Sequence, residues 1–138
     1  MSIIEERTKA LLDEMQCFDT AQDRFEYIIG KYKHILPPKE ICTDENIVKG
    51  CVSNLWISRK FENGKCRFQS AADSIITKGV ANLVCEFFDN LSPEEILSAD
   101  ESVFEKAGIS SQLSTNRRNG LSKLIEKILD FAKEHKNS

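Results

Sequence analysis

The sequence lacks a long apolar run, an excess of positive charge and a glycine-rich phosphate loop, and each absence excludes a class of protein. Its apolar stretches are only a few residues long, too short to cross a bilayer, so we expect no membrane contact. Its formal net charge is −3, whereas nucleic-acid-binding proteins normally carry a basic field, so we expect no nucleic-acid partner. Neither of its two histidines has neighbours that suggest Ser/His/Asp hydrolysis.

Two further features, the lack of a targeting signal and the lack of paired cysteines, indicate the cellular compartment of the protein. The N-terminal segment, residues 1–7, carries acidic residues and no apolar core, so it predicts neither a secretory signal nor a transit peptide. Cysteine is present five times, an odd number, and no two cysteines form a C-x-x-C pair. Disulfide frameworks in short secreted chains favour even counts. We therefore expect free thiols in the cytoplasm, with one of the five functional and the other four packing in the interior: Cys17, Cys42, Cys66 and Cys85.

What remains is the composition of an ordinary globular domain. The chain has 138 residues, of which 41% are hydrophobic and 30% charged, which predicts one domain with a core of its own. We divide residues 1–138 into an N-terminal helix pair (1–36), a loop and hairpin (37–72) and C-terminal helices (73–138). Helical spacing of apolar residues predicts the first pair and the last helix, with Asp73 as the N-cap of the helix that follows the hairpin.

The hairpin is the clearest local signal. Asn63-Gly64 supplies two residues that tolerate positive φ, as a type I′ turn requires, between runs typical of strands. Pairing Glu62 with Lys65 places five other side chains on one face, which we predict to be the core face. They are Leu55, Ile57, Phe61, Cys66 and Phe68. Residues 41–48 are a candidate third strand. The predicted fold class is α+β, a small antiparallel sheet packed against helices.

Cys51 is the candidate functional thiol. It follows Gly50, which lets the backbone turn immediately before it, so the sulfur can be presented on a loop. A thiol reacts as its thiolate, and a nearby cation or helix N-terminus increases the ionised fraction. The basic residues of the hairpin are expected to form a solvated face: Arg59, Lys60, Lys65 and Arg67.

Three motifs carry a resemblance to a known family. They are Asn46-x-Val48-x-Gly50-Cys51-x-Ser53-x-Leu55-Trp56, the block Asp73-Ser74-Ile75-Ile76-Thr77-Lys78-Gly79, and Leu113 to Leu121 with Arg117, Gly120 and Leu121. In this order and spacing the chain resembles the SufE/CsdE family of sulfur acceptors, which work with cysteine desulfurases in iron–sulfur cluster assembly. The resemblance covers residues 25–132 and implies a SufE/IscU-like fold.

The resemblance also implies a function. Cys51 would take the outer sulfur of a persulfide held by a SufS/CsdA-like desulfurase, stimulate that enzyme and pass the sulfur to a downstream Fe–S scaffold. Arg117 would stabilise the thiolate or persulfide, and Gly50, Ser53 and Asp73 would contact the partner. The chain would be a carrier rather than an enzyme, with no cofactor and no metal, because the pyridoxal phosphate belongs to the desulfurase.

Two alternatives stay open at this point. In the first, Cys42, Asp44 and Cys51 are ligands of a zinc site or of a cluster scaffold, which needs three or four sulfur, nitrogen or oxygen donors. In the second, the chain binds and stimulates a desulfurase without receiving sulfur.

Overall fold

The fold is α+β, as predicted: a hairpin packed against helices. The computed structural model describes residues 1–50 and 53–137. The hairpin consists of β1 (Leu55–Glu62) and β2 (Lys65–Ala72). The helices are α1 (Ile3–Gln16), α2 (Ala21–Tyr32), α3 (Ile75–Phe88), α4 (Pro93–Leu97), α5 (Val103–Lys106) and α6 (Thr115–His135), with single 3₁₀ turns at Lys39–Ile41, Asp44–Asn46 and Ser110–Gln112.

The predicted hairpin register is confirmed. Glu62 pairs with Lys65 and Ile57 with Ser70, and the two turn residues have positive φ angles of 53° at Asn63 and 77° at Gly64. The turn therefore fixes the register of the whole hairpin, as two-residue turns of this kind do. The pairing runs to the end of both strands, where Leu55 pairs with Ala72.

The candidate third strand is wrong for the described residues. Residues 41–48 form parts of two 3₁₀ turns instead, and among the described residues they pair with the sheet only through an isolated bridge between Ile47 and Trp56. The Asn46 side chain donates to the Ile41 carbonyl at 2.9 Å and closes this segment on itself. The local bonds of Cys42, Thr43 and Asn46 favour a turn here, and the segment bonds to β1 where the Val48 N–H donates to the Leu55 carbonyl at 2.8 Å.

The outer edge of β2 is covered by the segment after α3. The Cys66 N–H donates to the Leu91 carbonyl and the Asn90 N–H donates to the Cys66 carbonyl, both at 2.8 Å. Two residues along, the Phe68 N–H donates to the Asp89 carboxylate at 2.9 Å. These bonds satisfy the groups that an edge strand would otherwise expose.

The core lies between the hairpin and the helices, with α6 across the inner face of the sheet. The rings of Phe68 and Phe131 meet edge to face at 5.9 Å between centroids. Arg59, expected on a solvated face, lies instead over the Phe131 ring at 5.7 Å and donates to the Lys127 carbonyl at 3.4 Å. The guanidinium can take this inward position because its flat face packs on an aromatic ring while its edge keeps a hydrogen bond.

The helices α2 and α3 cross closely at a glycine. A Cβ atom added to Gly79 would lie 3.4 Å from the Ile29 Cα and 3.5 Å from the carbonyl oxygen of Ile28. One turn of α3 therefore rests directly on the backbone of α2, which leaves no room for a side chain longer than a methyl group. Lys78, beside it, donates to the Lys33 carbonyl at 3.1 Å and holds the end of α2. The start of α3 is thus fixed by its contacts with α2.

Candidate functional site

The two residues that flank the predicted functional segment lie against two different helices. Cys51 and Val52 themselves are outside the described residues. Gly50 has a φ of 91°. A Cβ atom added to it would lie 3.7 Å from the Lys123 Cγ on α6. The Ser53 hydroxyl is hydrogen-bonded to the Thr77 hydroxyl on α3 at 3.1 Å. Of the two residues that flank Cys51 and Val52 in sequence, Gly50 therefore lies near α6 and Ser53 is bonded to α3.

Asp73 is not the N-cap that we predicted. α3 begins one residue later, and Ser74 caps it by accepting from the Thr77 N–H at 3.5 Å. The Asp73 carboxylate accepts instead from the Asn54 N–H at 3.1 Å, while the Asp73 N–H donates to the Asn54 carbonyl at 3.2 Å. This pair of bonds closes the base of the hairpin and holds the chain after Ser53 next to the start of α3.

An apolar cleft connects these residues with Arg117. The cleft is small and is lined by residues of β1, α3 and α6 and by the residue before the α6 cap: Leu55, Thr77, Val80, Ala81, Leu113, Arg117, Gly120, Leu121 and Leu124. Thr77 is shared between the cleft and the hydrogen bond to Ser53. Arg117 lines this cleft, and Ser53 is linked to it through Thr77.

Arg117 is half-buried at the first turn of α6, where its backbone N–H donates to the Ser114 cap at 3.3 Å. Within residues 1–50 and 53–137 its guanidinium makes no hydrogen bond or ion pair. A cation at the positive end of a helix opposes the helix dipole, so Arg117 gains nothing there from the helix itself. A guanidinium in this position is suited to binding an anion in or beside the cleft.

The remaining cysteines divide into two pairs. Cys66 and Cys85 are buried in the core, as predicted, and burial raises the pKa of Cys66 to about 11 and that of Cys85 to about 12, the latter partly offset by the Ser70 hydroxyl. Cys17 and Cys42 are exposed, so the prediction that they pack inside is wrong. Cys17 follows the last turn of α1 and Cys42 follows a 3₁₀ turn, and such ends face solvent.

We predict a loss of stability at alkaline pH from the two buried thiols. Their pKa values are raised above the ordinary 9.0, so the folded state keeps the proton where the unfolded state releases it. Their contribution is complete below pH 9 and falls by up to ~1.4 kcal/mol per pH unit per thiol as the pH rises toward 11 and 12. Urea unfolding at pH 8 to 11 measures it. A Cys66→Ala/Cys85→Ala double variant should show a shallower decline, and an identical decline would contradict the assignment.

The metal-site alternative has no support from the described residues. Residues 1–50 and 53–137 contain no group of three His, Cys, Asp or Glu side chains placed to hold an ion. Cys42 and Asp44 lie on the loop before β1, and the third proposed ligand, Cys51, is outside the described part. The zinc or scaffold site therefore stays a hypothesis.

Sequence reasoning missed Thr77 and Lys123 as parts of this site. The one available signal for Thr77 was its place within the second motif. Lys123 approaches Gly50 with the stem of a long side chain, and no sequence pattern predicts such a contact. Asn54 was expected to order the loop through its side chain, whereas it is the Asn54 backbone that bonds to Asp73.

In the part of the chain that the structure describes, none of the helices has the length and apolar character needed to cross a membrane.

Comparison with known proteins gives a family match across most of the chain. The profile described as "SufE: Fe-S metabolism associated domain" matches residues 9–132. A SufE-like protein of Rhizobium meliloti (strain 1021) is 30% identical over 124 residues, which cover 86% of this chain and 89% of that protein. One from Rhizobium etli is 32% identical over 130 residues, covering 89% of this chain and 87% of that protein.

Two further comparisons extend the match. SufE-like protein 1, chloroplastic/mitochondrial, of Arabidopsis thaliana is 29% identical over 128 residues, which cover 89% of this chain but 34% of that longer protein. Among solved structures, the solution structure of a hypothetical protein from Thermus thermophilus superposes with a TM-score of 0.76 at 18% identity, covering 96% of this chain and 97% of that one. At that identity the likeness supports the fold alone.

Proposed function

This chain belongs to the SufE family of Fe–S metabolism associated domains, and from that premise we propose that it accepts persulfide sulfur on Cys51. The family places the chain in iron–sulfur cluster assembly. The donor in this proposal is a SufS/CsdA-like cysteine desulfurase, which holds the pyridoxal phosphate and is stimulated when its sulfur is removed. The chain then passes the sulfur to an Fe–S scaffold and acts as a carrier rather than as an enzyme.

The proposed step is a thiol–persulfide exchange. The Cys51 thiolate attacks the outer sulfur of the donor's persulfide, and a new S–S bond forms between Cys51 Sγ and that sulfur. The bond between the outer sulfur and the donor's cysteine breaks, and its electron pair leaves on the donor thiolate, which takes a proton from water. No external oxidant or reductant is consumed, and the rate depends on the thiolate fraction and on access.

The observation that supports this proposal is the link, through Thr77, between the residues that flank Cys51 and the cleft that Arg117 lines. Gly50 lies beside α6, Ser53 is bonded to Thr77, and Arg117 lines the cleft that Thr77 shares. The guanidinium is free among the described residues to bind an anion, and both a thiolate and a persulfide carry negative charge. We propose Arg117 as the residue that stabilises that charge, and Gly50, Ser53 and Asp73 as residues at the partner contact.

Thiol chemistry of this kind requires a reducing compartment, and we propose that transfer takes place in the cytoplasm. The name of the Arabidopsis relative assigns that protein to chloroplasts and mitochondria.

The direct test is mass spectrometry after incubation with a cysteine desulfurase and free cysteine. We expect the intact chain to gain about 32 Da, the mass of one sulfur atom, and the Cys51 peptide to carry it. The gain should disappear on treatment with dithiothreitol, since a persulfide is reducible. A gain that maps to Cys17 or Cys42 instead, or no gain at all while the desulfurase turns over, would contradict the proposal.

A further inference from the structure

The Thr77 hydroxyl forms its hydrogen bond outside its own helix. A threonine in a helix commonly bonds to the carbonyl one turn back, and Thr8 on α1 does so, donating to the Ile4 carbonyl at 2.7 Å. Thr77, in the first turn of α3, is bonded instead to the Ser53 hydroxyl at 3.1 Å, 24 residues away in sequence. Thr77 is buried, so little water competes for this bond. We call the bond the Thr77–Ser53 link.

The Thr77–Ser53 link is close to Cys51 along the chain. Ser53 is two residues after Cys51, so the Cα atoms of the two residues are at most about 7 Å apart in any conformation of the chain. Among the described residues, no other side-chain hydrogen bond lies as near to Cys51 in sequence. Because the chain is continuous, the position of Ser53 limits where the Cys51 sulfur can lie. The backbone bonds between Asn54 and Asp73 hold the next residue beside the start of α3 as well.

Thr77 takes part in two features at once, and substitution can separate them. It lines the cleft together with Arg117 and Leu55, and it forms the link to Ser53. Valine has nearly the shape of threonine but a methyl group in place of the hydroxyl, so it keeps the wall of the cleft and removes the link. Serine has the hydroxyl but lacks the methyl group, so it keeps the link and changes the wall.

We propose that Thr77 is a positioning residue for sulfur transfer, an inference that rests on the proposed function. Thr77 does not react with sulfur. Its hydroxyl holds Ser53, and through the chain it keeps Cys51 within reach of the cleft that Arg117 lines. Exchange between a thiolate and a persulfide requires a defined geometry, so a thiol that spends part of its time elsewhere accepts sulfur more slowly. The net effect of one hydrogen bond shifts such an equilibrium by about two- to tenfold.

The rate of sulfur acceptance tests the proposal on the full chain. The gain of about 32 Da is followed over time at several chain concentrations, with a cysteine desulfurase and free cysteine. Thr77→Val should lower the limiting rate about fivefold and leave the half-saturating chain concentration unchanged. Thr77→Ser should restore most of the rate. The matched control is Thr8→Val, which removes a threonine hydroxyl bonded within its own helix and should have no effect. A loss in Thr77→Ser but not in Thr77→Val would assign Thr77 to the wall of the cleft and overturn the proposal.

A double-mutant cycle with Ser53 tests whether Thr77 acts through the link. Ser53→Ala removes the other partner of the bond, so Thr77→Val should have no further effect on the rate in that background. Additive losses would show that the two residues act independently and would overturn the proposal. Urea denaturation of every variant gives the stability. A rate that falls only in proportion to stability, in Thr8→Val as in Thr77→Val, would also overturn it.

Alkylation without a desulfurase separates this inference from the proposed function. Iodoacetamide reacts with Cys51 whether or not the chain accepts sulfur, and the exposed Cys17 is an internal reference in the same molecule. Without the link a small reagent can approach from more directions, so Thr77→Val should raise the ratio of Cys51 to Cys17 alkylation about threefold, and Thr77→Ser should restore the parent ratio.

The two readouts together decide between the outcomes. If the parent chain gains no sulfur but the alkylation ratio responds as expected, the carrier function is wrong and the positioning of Cys51 by Thr77 stands. If the parent chain gains sulfur but Thr77→Val leaves the transfer rate or the alkylation ratio unchanged, the positioning role is wrong and the carrier function stands. If the parent chain gains no sulfur and the ratio does not respond, both are wrong.

Discussion

Replacement of Cys51 by serine is expected to abolish sulfur acceptance. A hydroxyl is not ionised near neutral pH and cannot form a persulfide, so the mass gain should fall below detection, a loss of at least about 100-fold. Stimulation of the desulfurase should be lost with it, because the persulfide on that enzyme is then no longer removed. Mass spectrometry measures the first effect, and the rate of sulfide release from cysteine measures the second.

Cys17→Ser and Cys42→Ser are the matched controls, since both thiols are exposed and neither flanks the cleft. They should leave transfer and stimulation unchanged. Full stimulation by the Cys51→Ser variant would favour the alternative in which the chain binds a desulfurase without receiving sulfur. Loss of stimulation in Cys42→Ser, together with bound zinc in the parent chain, would favour the metal site.

Gly79→Leu is expected to cause the largest loss of stability of the single substitutions considered. The Cβ position is 3.4 Å from the Ile29 Cα, so the rest of the leucine side chain has no space between the two helices. The neighbour is backbone and cannot turn aside, so α2 must move away from α3. We expect a loss of about 3 kcal/mol in the free energy of unfolding, after allowing for the better helix propensity of leucine.

Gly30→Leu is the control for that experiment. Gly30 is also a glycine inside a helix, but nothing lies within 4 Å of its Cβ position. Leucine there should be neutral or stabilising by up to about 0.8 kcal/mol, because glycine is the poorer helix former. Urea denaturation of both variants measures the difference, and equal stabilities would show that the close approach of α2 and α3 is not tight in solution.

The hairpin was predictable because its information is local. Asn63-Gly64 fixes the turn, the turn fixes the register, and the alternation of side chains fixes the face. The same holds for the capping box at Ser92, whose hydroxyl and Glu95 carboxylate satisfy each other's backbone N–H. These features depend on residues a few positions apart, and their geometry follows from residue type.

Two of the errors concern contacts between distant parts of the chain, and one concerns a local turn. Asp73 and Ser74 are both good N-caps, and the sequence does not distinguish them; the Asn54 N–H, 19 residues away, takes the Asp73 carboxylate and leaves the cap to Ser74. Residues 41–48 were a candidate third strand, but the Asn46 side chain holds them in a turn. Arg59 was assigned to solvent from its charge, and its position over Phe131 depends on the packing of α6.

The motifs named Gly50, Ser53, Asp73 and Arg117 as site residues, and their roles stay predictions. The structure places Gly50 near Lys123 of α6 and bonds Ser53 to Thr77 of α3, and Thr77 and Arg117 line the same cleft. It was not possible to foresee that Thr77 would link Ser53 to the cleft of Arg117. That link depends on the angle at which α3 leaves the hairpin, which is set by tertiary contacts such as the one at Gly79.

The bonds from Cys66 and Phe68 to the segment 89–91 limit how this protein can assemble with itself. Because that segment occupies the outer edge of β2 at Cys66 and Phe68, a strand from another molecule has no free backbone groups to pair with along this half of β2. At the other edge of the sheet, the bridge between Ile47 and Trp56 occupies the start of β1. Open-ended stacking of hairpins into fibrils, which needs two free edges on every unit, is therefore disfavoured by the native fold.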